Sequence, residues 1–142
     1  GNLTESITVT QNVALVAGSA EASIDFSSQG YANAQAISNA SIGDDVTIVF
    51  DKGSNSNAPT YYTSGTAIRC YGGNTFTISS SDKTITNIEL TFGSSDGTNA
   101  ITTNVGTFSS PICAGSANSV TFTVGGTKGN RRIKGIKVTY TN

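Results

Sequence analysis

Residues 61–73, YYTSGTAIRCYGG, hold three of the chain's five tyrosines, one of its two cysteines and an arginine, in a sequence without tryptophan or histidine. Tyr61, Tyr62, Arg69 and Tyr71 are the side chains here that can engage a ligand. An aromatic face stacks on the apolar C–H face of a sugar ring, and a guanidinium forks onto a carboxylate or bonds hydroxyls. If 67–71 is a strand, period-2 alternation turns Ile68 and Cys70 to the core and Ala67, Arg69 and Tyr71 outward. Arg69 and Tyr71 are then neighbours on one surface. Tyr61 and Tyr62, adjacent in the segment entering that strand, face opposite ways. One plugs the end of the fold with its hydroxyl reaching water, and the other joins the surface; which does which stays open. The plainer alternative is that the whole stretch is a structural corner.

A second cluster is Arg131, Arg132 and Lys134. With Lys128 and Lys137 they make five of the eight basic residues, while all nine acidic residues lie at or before Asp96. Such charges either guard a strand edge against edge-to-edge aggregation or form a cationic patch for an anion. The patch is a small footprint for nucleic acid on a chain of net charge −1, and no nucleic-acid-binding motif accompanies it, so a nucleic-acid partner is not expected.

Other chemistry is excluded by what is absent. Without histidine there is no Ser-His-Asp or Cys-His machinery, no His-ligated metal and no ordinary general base near neutral pH. Two carboxylates would suffice for a glycosidase. The acids here lie mostly in or beside turns, however, in a chain too short to wrap a deep cleft. A non-catalytic protein is expected. Cys70 and Cys113 sit in apolar runs, AIRCY and SPICAG, with no CxxC pair. They are read either as buried free thiols or, in an oxidising compartment, as one structural disulfide between them. No cofactor is expected. Structural Ca2+ in GSSDGTN or IGDDVT is weighed against a type I′ turn at Asp96 and Gly97 and a solvated Asp44 and Asp45, and the thin supply of oxygen ligands favours the turn.

Short alternating strands must position these residues. DDVTIVFD sets Val46, Ile48 and Phe50 on one face; TFTISS pairs Phe76 with Ile78; SVTFTVGG aligns Val120, Phe122 and Val124. ESITVT and ASIDFS are shorter versions near the start. Turn-forming runs separate them (DKGSNSNAP, YGGN, SSDGTN, VGGTKGN). YANAQAISNA, rich in alanine but interrupted by polar residues, reads as a loop or one helical turn. About eight or nine strands at this spacing predict an all-β fold, an antiparallel two-sheet β-sandwich or jelly roll. ITNIELTF (85–92) and IKGIKVTY (133–140) share one pattern, in which two isoleucines lie three residues apart. A bulge at Asn87 and at Gly135 would return both isoleucines of each copy to one face. At 142 residues, with 12% charged residues, 16 glycines and no methionine, the chain reads as a single module spanning 1–142, cut from a larger protein. No apolar run reaches the roughly 20 residues of a membrane helix, and no membrane partner is expected.

The runs YYTSGTAIRCYGGNTFTI, ITNIELTFGSSDG and GSANSVTFTVGGTKGNRRIKGIKVTY resemble β-sandwich accessory modules of large secreted proteins from gut and rumen bacteria. These modules stand beside polysaccharide-degrading domains, immunoglobulin-like repeats and extracellular nucleases. The resemblance covers the chain from about Ile24 onward. It implies an extracellular or cell-surface, non-catalytic module, monomeric within its larger chain, whose commonest role is carbohydrate binding. The ligand would be a plant cell-wall or other acidic polysaccharide. The missing tryptophan departs from the usual platform and argues against crystalline cellulose. The alternative is an adhesin-like or spacer module that contacts protein and binds no glycan.

Overall fold

In the computed structural model, which describes residues 18–142, thirteen β-strands and one 3-10 turn build two antiparallel sheets. The strands are β1 (Ser19–Asp25), β2 (Gln35–Ala36), β3 (Asn39–Ile42), β4 (Val46–Asp51), β5 (Thr60–Tyr62), β6 (Ala67–Tyr71) and β7 (Thr75–Ser79). They continue with β8 (Thr84–Phe92), β9 (Ile101–Thr103), β10 (Thr107–Ser109), β11 (Ile112–Ala117), β12 (Ser119–Val124) and β13 (Asn130–Thr141). The larger sheet runs β10-β11-β8-β13-β6-β5-β2, with β1 also paired to β13; the smaller runs β3-β4-β7-β12-β9. The expected ESITVT strand lies outside the described residues.

The alternation read from the sequence accounts for the core. β4 buries Val46, Ile48 and Phe50 and exposes the residues between them. Ile48, Phe50, Phe76, Ile88, Leu90, Phe122, Ile136 and Val138, all expected inside, are all buried. In the smaller sheet, Phe50, Phe76 and Phe122 lie side by side across β4, β7 and β12, with ring centroids 6.0 and 4.8 Å apart. Aromatic pairs at such separations add to the free energy of burial itself.

The two echoed segments are β8 and β13, which pair with each other at the centre of the larger sheet. The register slips between Thr139 and Tyr140, opposite Asn87 and Ile85, and again between Ile133 and Gly135. Both bulges are therefore present, and Ile85, Ile88, Ile133 and Ile136 are all buried.

Two expectations are corrected and one open alternative is decided. First, residues 31–40 are loop over most of their length, as expected, but they also carry the short strand β2 and the start of β3, and no helix. Here the chain crosses between the sheets: Ile37 N donates to Pro59 O beside β5, and Ser38 O accepts from Phe50 N in β4. Neighbouring strands therefore supply what local propensity lacks. Second, of the two readings of the cysteines the structure has the free thiols: Cys70 and Cys113 are both unbridged and buried. β8 and β13 stand between their strands. Three strand spacings of about 4.8 Å are twice what a disulfide can bridge. Third, Asp96 and Gly97 form no type I′ turn, which would need positive φ at both; the left-handed residue is Ser95, at φ 58°.

Candidate functional site

The outer face of β5, β6 and β13 gathers most of the residues singled out above. In register, Arg69 lies opposite Thr60 on one side and Arg132 on the other, Ala67 lies opposite Tyr62, and Tyr71 opposite Asn130. Ile68 and Cys70 point the other way and are fully buried. The Arg69 guanidinium carbon sits 4.3 Å from the centre of the Tyr62 ring, a cation–π contact that also limits where the charge can go. The Tyr62 hydroxyl reaches along the strands to the Tyr71 hydroxyl at 3.2 Å. Burial, and then this contact with Tyr62, raise the Tyr71 pKa above the ordinary phenol value, so the Tyr71 phenol is neutral and hydrogen-bonding at physiological pH.

Arg132 extends toward the turn joining β5 to β6. Its Nη1 lies 3.7 Å from where a Cβ would stand on Gly65, a position also bordered by the Ser94 carbonyl and hydroxyl. Lys134 Nζ donates to Thr66 Oγ1 at 2.8 Å, at the same turn. Among the described residues, Arg69, Arg132 and Lys134 form no ion pair with a carboxylate. Asp25 feels Lys134 only secondarily; its carboxyl is held below the ordinary range chiefly by hydrogen bonds from Ser27. Two like charges directly opposite across an antiparallel pair are destabilising. Yet here they stand without a counter-ion. Among the described residues, the buried side-chain nitrogen and oxygen atoms lacking a hydrogen-bond partner are Arg69 Nε, Arg132 Nε and Asn130 Oδ1. All three belong to neighbouring residues of this surface.

The loops around the face are held in uncommon conformations. Among the described residues, the non-glycine residues with positive φ are Ala34 (66°), Thr66 (51°) and Ser95 (58°), and for the β-branched Thr66 this is a marked outlier. Their loops form one rim. Asn33 Oδ1 accepts from Thr63 N and Oγ1, both at 3.1 Å, tying the first loop to the second. The approach of Gly65 to Ser94 ties the second to the third. Backbone strain of this kind persists only where surrounding contacts over-determine it, and it clusters at binding sites.

Two expected members fall outside the face. Tyr61 is the one that plugs the fold: it is buried and packs edge-on against Tyr31, with centroids 5.5 Å apart. Arg131 alternates to the opposite side of β13 from Arg132. Its guanidinium stacks over Phe92 at 4.2 Å and is held by Asp96 through Nε (3.1 and 3.2 Å) and Nη2 (3.0 Å). Asp96 also accepts from Arg132 N at 2.7 Å, so this acid is committed to two arginines rather than to a metal ion. Among the described residues, no group of three metal-ligating side chains gathers anywhere. The sequence reading missed Thr60, Asn130 and the rim residues Asn33, Thr66 and Ser94. The TSG turn marks the second loop, but nothing in a threonine announces a left-handed backbone.

Compared with protein-family models, curated proteins and solved structures, the chain matches none.

Proposed function

We propose that the protein is a non-catalytic binding module for an acidic polysaccharide, engaged by the outer face of β5, β6 and β13. One observation carries the reading: Arg69 and Arg132 stand opposite each other without a carboxylate partner, beside Tyr62 and Tyr71. An unpaired guanidinium couple is unfavourable for the fold alone and favourable for a ligand that brings negative charge. Around it lie hydroxyl and amide groups from Thr60, Asn130, Thr63 and Ser94, suited to a ligand rich in hydroxyls. A continuous phosphate chain would call for a longer basic track. Glu21 and Glu89, the carboxylates flanking Lys137 of β13, both lean on its ammonium, at 4.0 and 3.8 Å, an arrangement that supports binding rather than hydrolysis. In keeping with the accessory modules that the chain resembles, this reading places it on a secreted or cell-surface bacterial protein.

The experiment is titration of acidic and neutral polysaccharides against the wild type and the Arg69→Ala, Arg132→Ala and Tyr71→Ala variants at two salt concentrations. Loss of one charge-assisted contact should weaken an acidic glycan about ten- to a hundredfold. Higher salt should weaken it further. A neutral glycan that depends on Tyr71 and ignores salt would remove the acidic specificity. No binding to any glycan would favour the spacer or adhesin-like alternative.

A further inference from the structure

The geometry points to two separate anion positions on this face, so that its ligand is an oligouronide presenting acid groups on more than one residue, rather than a single terminal uronic acid. This rests on the acidic-glycan reading and specifies the ligand within it. The two arginines are neighbours at their Cα atoms, but their heads are held at different levels along β6. Arg69 lies on the Tyr62 ring, and the Tyr62 hydroxyl is tied to Tyr71 at the far end of that strand. Arg132 reaches instead toward Gly65, and Lys134 toward Thr66, in the turn that precedes β6.

The first position therefore has one guanidinium and two phenol hydroxyls. The second has a guanidinium, an ammonium and the Thr66 hydroxyl. A carboxylate is matched bidentately by one fork, so each position is suited to an acid group of its own. Small residues occupy the ground between. A Cβ on Gly93 would fall 2.8 Å from Ala67 Cβ and 3.2 Å from Gly65 O; both Gly93 and Ala67 are buried, and neither sends a long side chain between the two positions. Beyond Lys134 the surface continues into a depression of about 160 Å³ bordered by Asp25, Thr91 and Lys137. A chain of linked sugars can thus cross the strands and meet both positions, its second contact forming at the high effective concentration that linkage provides.

The test is calorimetric titration of the whole chain with galacturonic acid, with tetragalacturonate and with the methyl ester of the tetramer. Arg69→Gln, Arg132→Gln and Lys134→Gln are titrated alongside, and thermal melts confirm folding. Lys134→Gln gives up one side-chain hydrogen bond and serves as the variant least able to disturb the sheet. The tetramer should bind at least about tenfold more tightly than the monomer, and each variant should forfeit most of that advantage. The ester should lose it as well. Equal affinity for monomer and tetramer overturns the two-position inference and leaves the acidic-glycan reading standing. Failure of every acidic sugar to bind overturns both. Tighter binding of an oligothymidylate than of the tetramer reassigns the face to nucleic acid and also overturns both.

Discussion

Arg131 and Arg132 are adjacent and chemically identical, yet Asp96 divides their work. Its carboxylate accepts four hydrogen bonds, three from the Arg131 guanidinium and one from the Arg132 backbone, at 2.7–3.2 Å. That consumes Arg131 as a brace and fixes the backbone of Arg132 while leaving its side chain unpaired. The Arg131 and Asp96 side chains are only 13% and 20% exposed, so solvent screens this pair less than a surface bridge. Asp96→Asn keeps the shape but removes the charge and turns one acceptor into a donor facing guanidinium hydrogens. Stability should fall by about 1.5–3 kcal/mol, the range for hydrogen bonds to charged groups, measured by urea unfolding. Affinity for the acidic ligand should fall too, because β13 would no longer be held at Arg132. A stability change below about 0.5 kcal/mol would contradict the brace. The sequence shows two adjacent arginines, which read together as one cationic cluster. It cannot show that a loop residue some 35 positions earlier returns to claim one of them.

At the scale of elements, the bulges decide how β13 serves three neighbours. It pairs with β8 along one side, and with β6 and then β1 along the other. The slip at Lys134 and Gly135 falls where β6 ends and β1 takes over. It turns Lys134 toward Thr66 while Ile133 and Ile136 stay in the core. Gly135 is required there because the strands approach closely: a Cβ would come within 2.8 Å of Ile24 O, a backbone atom of β1. Gly135→Ala should therefore push β1 off β13, with a loss of about 1–3 kcal/mol as for other overpacked sites. Hydrogen exchange should report it as lost protection in β1 with the β6 amides unaffected. Uniform loss across the sheet, or none, would count against this account. These bulges were legible because the spacing of isoleucines cannot be met by strict alternation. The short strands β2 and β3 were not. At two and four residues they carry too little pattern of their own, and β5 and β4 supply their pairing. Nor was the separation of Cys70 from Cys113 legible, since strand order is set by topology and leaves no mark on either cysteine's neighbours.

For the whole molecule, the absence of histidine and the depth of the core combine into a pH profile. No side chain of ordinary pKa changes charge between about pH 6 and 8, so stability should be flat there. On the alkaline side, burial pushes the Cys70 thiol up to about 12 from an unfolded value near 9. Burial also raises Cys113, Tyr31, Tyr71 and Tyr140, the last aided by its contact with Asp45. A raised folded pKa contributes stability that is fully present below the unfolded value and is lost as pH rises through the folded one. Unfolding free energy should therefore begin to fall above pH 9, by about 1.4 kcal/mol per pH unit for each proton that only the folded state retains. Cys70→Ala starts lower because it leaves a small cavity, but between pH 9 and 12 its slope should be shallower by about one proton. Asp25 works in the opposite direction. Lowered by its Ser27 hydrogen bonds, it contributes stability above its unfolded value that is lost as pH falls through the folded one. Urea titrations from pH 3 to 11 on wild type and Cys70→Ala decide the matter: a transition between pH 6 and 8, or identical alkaline slopes, would refute it. The same profile bears on binding. A uronate is ionised above about pH 4. Affinity for an acidic glycan should then stay constant from about pH 5 to 9 and decline only where the ligand itself takes up protons.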